Sequence, residues 1–211
     1  MSVSVKQSGT IKDPLEIYIK DDSTWKTVRE IHVKNAGVWK QAYPPTGTQS
    51  FTGGGTTHTF TVPQGVYSLN LDKMSGGGGG GSAGTNATGD CHSGPAGNAG
   101  STVASQSFAV TPGETLTIVT GSGGAGGTYV FGRSYVYNAG SAGSATTVKR
   151  GATTLFTASG GAGGLGLFAS GTNYTTPGKT NGTGYGTSGT GGCGCGCNGG
   201  AGQAGGVQFS W

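Results

Sequence analysis

The sequence predicts an all-β protein in two parts: a small amino-terminal module of β-hairpin repeats over residues 1–45, and a β-sandwich-like glycine-rich domain over residues 46–211 with packed polyglycine-II-type segments. Three observations lead there. Glycine supplies 48 of 211 residues, gathered into tracts such as Gly76 to Gly81, Gly121 to Gly127 and Gly182 to Gly206. Between the tracts lie short segments in which apolar and polar residues alternate, the period of a half-buried strand. Near Tyr43-Pro44-Pro45 the composition breaks: residues 1–41 hold seven of the twelve Lys and Arg and five of the eight Asp and Glu.

Glycine loses more conformational freedom on ordering than any other residue, so a chain this rich in it is either disordered or uses backbone without side chains. Leu, Ile, Val and Phe number only 33 of 211, which points toward disorder, but the net charge is only +4. Disorder by composition requires low hydrophobicity together with high net charge. The alternating runs therefore read as ordered strands joined by glycine-rich backbone.

In the amino-terminal part a fourteen-residue period is visible. Ile17-Tyr18-Ile19-Lys20 followed by Trp25-Lys26 recurs as Ile31-His32-Val33-Lys34 followed by Trp39-Lys40. Turn formers Asp21-Asp22-Ser23 and Asn35-Ala36-Gly37 fill the corresponding gaps, so each unit reads as a hairpin. Two such units bury little by themselves. They read as a meander packed on the rest of the chain or as a docking module that completes its core on a partner, with Ile17, Ile19, Trp25, Ile31, Val33 and Trp39 as the docking candidates.

Turn signals divide the second part into expected hairpins: His58 to Val62 and Val66 to Leu71 about Pro63-Gln64-Gly65, Phe108 to Val110 and Leu116 to Val119 about Pro112-Gly113-Glu114, and Thr146 to Lys149 and Thr153 to Thr157 about Arg150-Gly151. The terminal Val207-Gln208-Phe209-Ser210-Trp211 alternates strictly and is expected to close the core. The tracts between them suit an extended three-residue helix, which has no internal hydrogen bonds and points every N–H and C=O outward. Drawn straight, residues 182–206 would reach about 78 Å, against a radius of gyration of about 17 Å for a compact chain of this length. The tract is therefore expected to fold back and to satisfy its backbone on neighbouring tracts.

Val62-Pro63-Gln64-Gly65-Val66 leading to Gly76 to Gly81, and Val110-Thr111-Pro112-Gly113-Glu114-Thr115-Leu116-Thr117-Ile118 leading to Gly121-Ser122-Gly123-Gly124-Ala125-Gly126-Gly127, resemble the glycine-rich domain of bacteriophage tail-fibre and receptor-binding proteins. The Ile-Tyr-Ile-Lys to Trp-Lys repeat also resembles segments common in phage tail proteins. The resemblance implies a non-enzymatic virion structural protein, an adhesin whose loops bind a bacterial surface protein or glycan, with other virion proteins as partners and a homotrimer among the assemblies it allows. The amino terminus carries neither the basic nor the apolar region of a secretory signal, and no run approaches a membrane span, so synthesis in a host cytoplasm and release by lysis are expected, with no membrane insertion.

For an adhesin, the recognition surface is expected where aromatic residues serve a core least. Tyr129, Phe131, Arg133, Tyr135 and Tyr137 lie between two glycine stretches, and Phe168, Tyr174 and Tyr185 have similar surroundings. Rigid aromatics offer large contact area at small entropic cost; lateral packing on the sheet or on a neighbouring subunit is their other reading. Cys91, Cys193, Cys195 and Cys197 are read as free or packed thiols, as a disulfide between Cys91 and one of the later three, or as metal ligands. Alternation with single glycines is unlike the usual spacing of a zinc site.

Other chemistry finds little support. The Gly-x-Gly-x-x-Gly matches at Gly76 and Gly194 lack a surrounding βαβ pattern, and Gly178-Lys179-Thr180 lacks the first glycine of a phosphate loop, where Asn173 stands. His32, His58 and His92 have no nearby carboxylate pair or nucleophile elbow, so no enzymatic activity and no cofactor are expected. Basic residues alternate with acids and form no stripe, which argues against nucleic acid. Two further functions fit the same sequence: a capsid-decoration or tail-assembly protein without receptor binding, and an ice-binding protein built on threonine-, alanine- and serine-faced glycine helices.

Overall fold

The computed structural model describes residues 18–21, 23–28, 31–43, 45–83, 85–87, 90–92, 96–128, 138–165, 186, 188 and 198–211. Every regular element among them is a β-strand. In the amino-terminal part, β1 (Tyr18–Asp21) pairs with β2 (Thr24–Thr27), and β3 (Ile31–Asn35) with β4 (Val38–Tyr43), each as its own two-stranded antiparallel sheet. The fourteen-residue repeat is carried into the register: Lys20 faces Trp25 in the first hairpin and Lys34 faces Trp39 in the second. Both turns need left-handed backbone, met by Ser23 at φ 72° and by Ala36-Gly37 at φ 48° and 83°, the conformation of the tight turns that match strand twist.

Two sheets make the sandwich. One runs β10 (Thr102–Val103), β7 (Ser68–Ser75), β15 (Gly206–Ser210), β5 (Thr48–Thr52), with β11 (Gln106–Ala109) also on β7. The other runs β14 (Thr153–Ala158), β13 (Thr146–Arg150), β12 (Thr115–Val119), β6 (Thr57–Thr61). Alternate residues of both close one core of Phe51, Phe60, Leu69, Leu71, Leu116, Ile118, Val148, Val207 and Phe209. Phe60 meets Phe209 across the two sheets at 5.6 Å between ring centroids, and Phe108 meets Phe156 at 5.1 Å. As expected, the last strand is central: β15 lies between β7 and β5, and Val207 and Phe209 are fully buried.

Two of the three expected hairpins are corners instead. β6 pairs with β12 while β7 pairs with β10, β11 and β15, so Pro63-Gln64-Gly65 carries the chain from one sheet to the other. β11 and β12 are divided between the sheets in the same way, and only β13 and β14 form the hairpin expected of them. A tight turn between two alternating strands specifies a reversal of direction. Whether the strands then bond to each other or face each other across a core depends on the other strands present.

Beyond the sandwich the chain is a bundle of glycine tracts. Residues 76–83 follow β7, 121–128 follow β12, and 159–165 follow β14; residues 96–101, 138–145 and 198–205 lead back into β10, β13 and β15. Bond partners of the first tract repeat every three residues. Gly76 and Gly79 donate to Ser101 and Asn98, Gly77 and Gly80 to Ser144 and Ser141, and Gly78 and Gly81 to Gln203 and Gly200. The same tract accepts from Gly161 and Gly164 and from Gly124 and Gly127. It is therefore the axis of the bundle, antiparallel to the tracts it donates to and parallel to those it accepts from.

Around this axis the outer tracts bond to one another in the order 96–101, 159–165, 138–145, 121–128, 198–205. Gly186 closes the ring, accepting from Gly100 and donating to Ala204. This is the side-by-side packing expected of the glycine segments, with a ring of bonded backbone around one central strand of backbone. The junction to the sandwich is held by Thr146, whose hydroxyl donates to the Ser75 carbonyl at 2.7 Å and accepts from the Gly121 N–H at 2.8 Å, and by buried Thr120, which donates to the carbonyls of Gly53 and Thr56.

Candidate functional site

Tract directions decide where a site can be. Every described tract joins a strand at its sandwich end, so the three connections between tracts, residues 84–95, 129–137 and 166–197, all leave from and return to the opposite, distal end. The three are unlike one another in how they are anchored. The first links adjacent, bonded tracts and contains the hairpin of β8 (Thr85–Ala87) and β9 (Asp90–His92), with Asn86 opposite Cys91. The second joins Thr128 to Asn138, neighbours across a seam, whose side chains bond directly from Nδ2 to Oγ1 at 3.0 Å. The third starts from 159–165 and returns as 198–205, on opposite sides of the central tract, and in between it comes back to the sandwich end, where Gly186 bonds to Gly100 and Ala204.

All eight residues expected at a recognition surface belong to the second and third connections. Tyr129, Phe131, Arg133, Tyr135, Tyr137, Phe168, Tyr174 and Tyr185 lie outside the described residues, as do Cys193, Cys195 and Cys197, and Cys91 is described in its backbone alone. The described rim carries small side chains apart from Leu165, which is 77% exposed at the end of its tract; Thr128 and Ala139 are exposed at the ends of theirs. Among the described residues no group of three or more His, Cys, Asp or Glu is placed to hold a metal ion. No helix among them is long and apolar enough to cross a membrane.

The flanks of the bundle present rows of small side chains at intervals of three: Ser122, Ala125 and Thr128; Ala139, Ala142 and Ala145; Ser159, Ala162 and Leu165. The glycines between them are closed to side chains. A Cβ at Gly140 or Gly143 would fall on the carbonyl of Gly80 or Gly77, and one at Gly123 or Gly126 on that of Gly202 or Gly199, well under the 3.0 Å that real Cβ atoms observe. Among the described tracts, side chains are therefore barred from the glycine positions that face neighbouring backbone.

The amino-terminal hairpins present a surface of their own. Trp25 and Trp39 are 64% and 65% exposed, with Lys20 Nζ and Lys34 Nζ 6.0 and 5.9 Å from the ring centroids. Ile19 and Ile31 are half-buried, Val33 is described in its backbone alone, and Ile17 lies outside the described residues. Exposed Val38 adjoins Trp39. The repeat thus displays the same lysine-over-tryptophan pair twice, a consequence of the cross-strand register of the two hairpins.

Sequence reasoning missed the side chains that stitch the tracts together. Ser101, Ser141, Ser144 and Asn138 all take part in bonds to a neighbouring tract. Their signal was the Gly-Ser-Ala period of residues 140–145, which composition alone hides.

No curated protein matches this chain. A family model does, described as a glycine-rich domain and covering residues 40–210, which spans the sandwich, the tracts and all three distal connections. The chain belongs to that glycine-rich domain family.

Proposed function

We propose that this chain is a phage virion structural protein, a tail-fibre or tail-tip adhesin that docks through its amino-terminal hairpins and meets a bacterial surface protein or glycan with its distal connections. The observation that carries this reading is that all three connections leave from and return to one end of a bundle whose glycine positions exclude side chains. A scaffold whose interior is hydrogen-bonded backbone holds the connection ends in place independently of what the connections contain. Binding residues concentrate on loops carried by such rigid frames; residues 129–137 hold three tyrosines and an arginine and residues 166–197 two tyrosines, residue types enriched among binding hot spots. The exposed Trp25 and Trp39 of the amino-terminal hairpins suit attachment to another virion protein.

Labelled full-length protein should bind intact cells of susceptible bacteria in flow cytometry. Tyr135→Ala, Tyr137→Ala and Tyr174→Ala together should weaken that binding by about tenfold or more. Unchanged binding by the triple variant would remove these residues from the site. A wild-type protein that binds particles but no cells would favour a decoration or assembly role instead. The regular rows of Ser, Ala and Thr on the bundle flank favour one further reading, ice binding, which thermal hysteresis of the purified protein would support.

A further inference from the structure

The seam between 121–128 and 138–145 is closed by side chains as well as by backbone. The N–H groups of Ser144 and Ser141 donate to the carbonyls of Ser122 and Ala125, each at 2.9 Å. The N–H groups of Ser122 and Ala125 donate back to Ser144 Oγ and Ser141 Oγ, each at 2.7 Å. Three residues further on, Asn138 Nδ2 reaches Thr128 Oγ1 at 3.0 Å, on the last described residues before the chain departs. These are three rungs at the three-residue period, running from the sandwich to the distal rim.

The reciprocal serine arrangement occurs once more, at the sandwich end, where Ser101 N–H donates to the Ser159 carbonyl and Ser159 N–H returns to Ser101 Oγ. The 121–128 and 138–145 pair carries its side-chain rungs out to the distal rim itself. Such rungs matter physically, because backbone bonds between bare glycine tracts repeat every three residues. A slip of one turn restores the same N–H to C=O pattern, as register is weakly specified wherever side chains do not specify it. Moving 138–145 by one turn would set Asn138 against Ala125 and Ser141 against Ser122, and the rim bond to Thr128 would be lost.

We propose that Thr128, Asn138, Ser141 and Ser144 are positioning residues for recognition. Their ladder fixes the register and separation of the two ends from which residues 129–137 depart, so that ordering cost is met during folding and not on binding. This rests on the adhesin reading above.

The test uses full-length protein carrying Ser141→Ala with Ser144→Ala, and separately Asn138→Ala, with Ser141→Thr and Ser144→Thr as conservative variants that keep the hydroxyl. Amide exchange at Ser122 and Ala125 should rise about fivefold or more in the alanine pair, as expected for loss of one hydrogen bond at each site. Exchange at Gly79 and Gly100, on the far seam, should stay unchanged. Binding to the same bacterial cells should weaken about fivefold or more in both alanine variants and return in the threonine variants. Unchanged exchange at Ser122 and Ala125 would show that the rungs do not hold the seam. Faster exchange with undiminished cell binding would make the ladder purely structural. Either result overturns the proposal. If Tyr135→Ala and Tyr137→Ala bind cells like wild type while the ladder variants do not, the ladder positions something other than 129–137 and the proposal again fails, with the adhesin reading left standing.

Discussion

The sandwich and the glycine bundle solve the same problem with opposite materials. In the sandwich, Phe51, Phe60, Leu69, Leu71, Ile118 and Phe209 exclude water with side chains, and the polar backbone is satisfied within each sheet. In the bundle, residues 76–83 are all buried although six of the eight are glycine, and what surrounds them is the backbone of other tracts. The sandwich is held chiefly by burial of apolar area, a non-directional force that tolerates changes of shape. The bundle is held by hydrogen bonds and close backbone packing, which are directional and admit no added atom. Bulk is therefore the quantity to which the two regions should respond in opposite ways: the sandwich should suffer when atoms are removed, and the bundle when they are added.

The sharpest way to break this comparison is one methyl group on the axis. Gly80→Ala would drive its Cβ into the Ala125 carbonyl, and Gly77→Ala into that of Ser122, each far inside contact distance of backbone that cannot yield alone. Either variant should fail to fold, a loss above about 4 kcal/mol, read as absence of a cooperative thermal transition. A normal melting profile for Gly80→Ala would mean the tracts are not packed on one another.

Removal of atoms from the sandwich comes next. Phe209→Ala should destabilise the chain by about 3–5 kcal/mol in denaturant titration, and deleting residues 206–211, which removes the strand between β7 and β5, should abolish folding. Smaller effects separate the tracts' seams from their flanks. Ser101→Ala removes the hydroxyl that accepts from Ser159 N–H at 2.6 Å and should cost about 1 kcal/mol. Ala142→Ser and Ala162→Ser add atoms on the exposed flank and should change stability by no more than about 0.5 kcal/mol, in contrast to the same enlargement on the axis.

Much of this organisation was legible in the chain itself. Alternation located the strands, and the repeat located both amino-terminal hairpins because Asn35-Ala36-Gly37 supplies turn chemistry between two matched runs. The number of glycines per turn also reports surroundings. Gly76 to Gly81 lacks side chains in all three directions and is the axis, 121–127 and 160–164 lack them in two, and 97, 100, 140 and 143 mark one inward direction each. The corners at Pro63 and Pro112 were not legible as corners, because a turn signature is the same whether the next strand pairs with the last or crosses to the facing sheet. The serine rungs were hidden for a related reason. Ser141 and Ser144 bond to Ala125 and Ser122 of another tract, and nothing in the local sequence of residues 138–145 names that tract.

By itself, then, the sequence determined local matters: which segments extend, which turn, and which can lie against backbone because they carry no Cβ. Glycine spacing marks which tract can be surrounded on every side, but tertiary structure alone decided the order in which the others alternate around it and that three connections start and end together at one end. The outer tracts have nearly the same local preferences, so nothing within one of them names its neighbours. The place follows from which neighbours satisfy its N–H and C=O groups, and that is a property of the assembled chain.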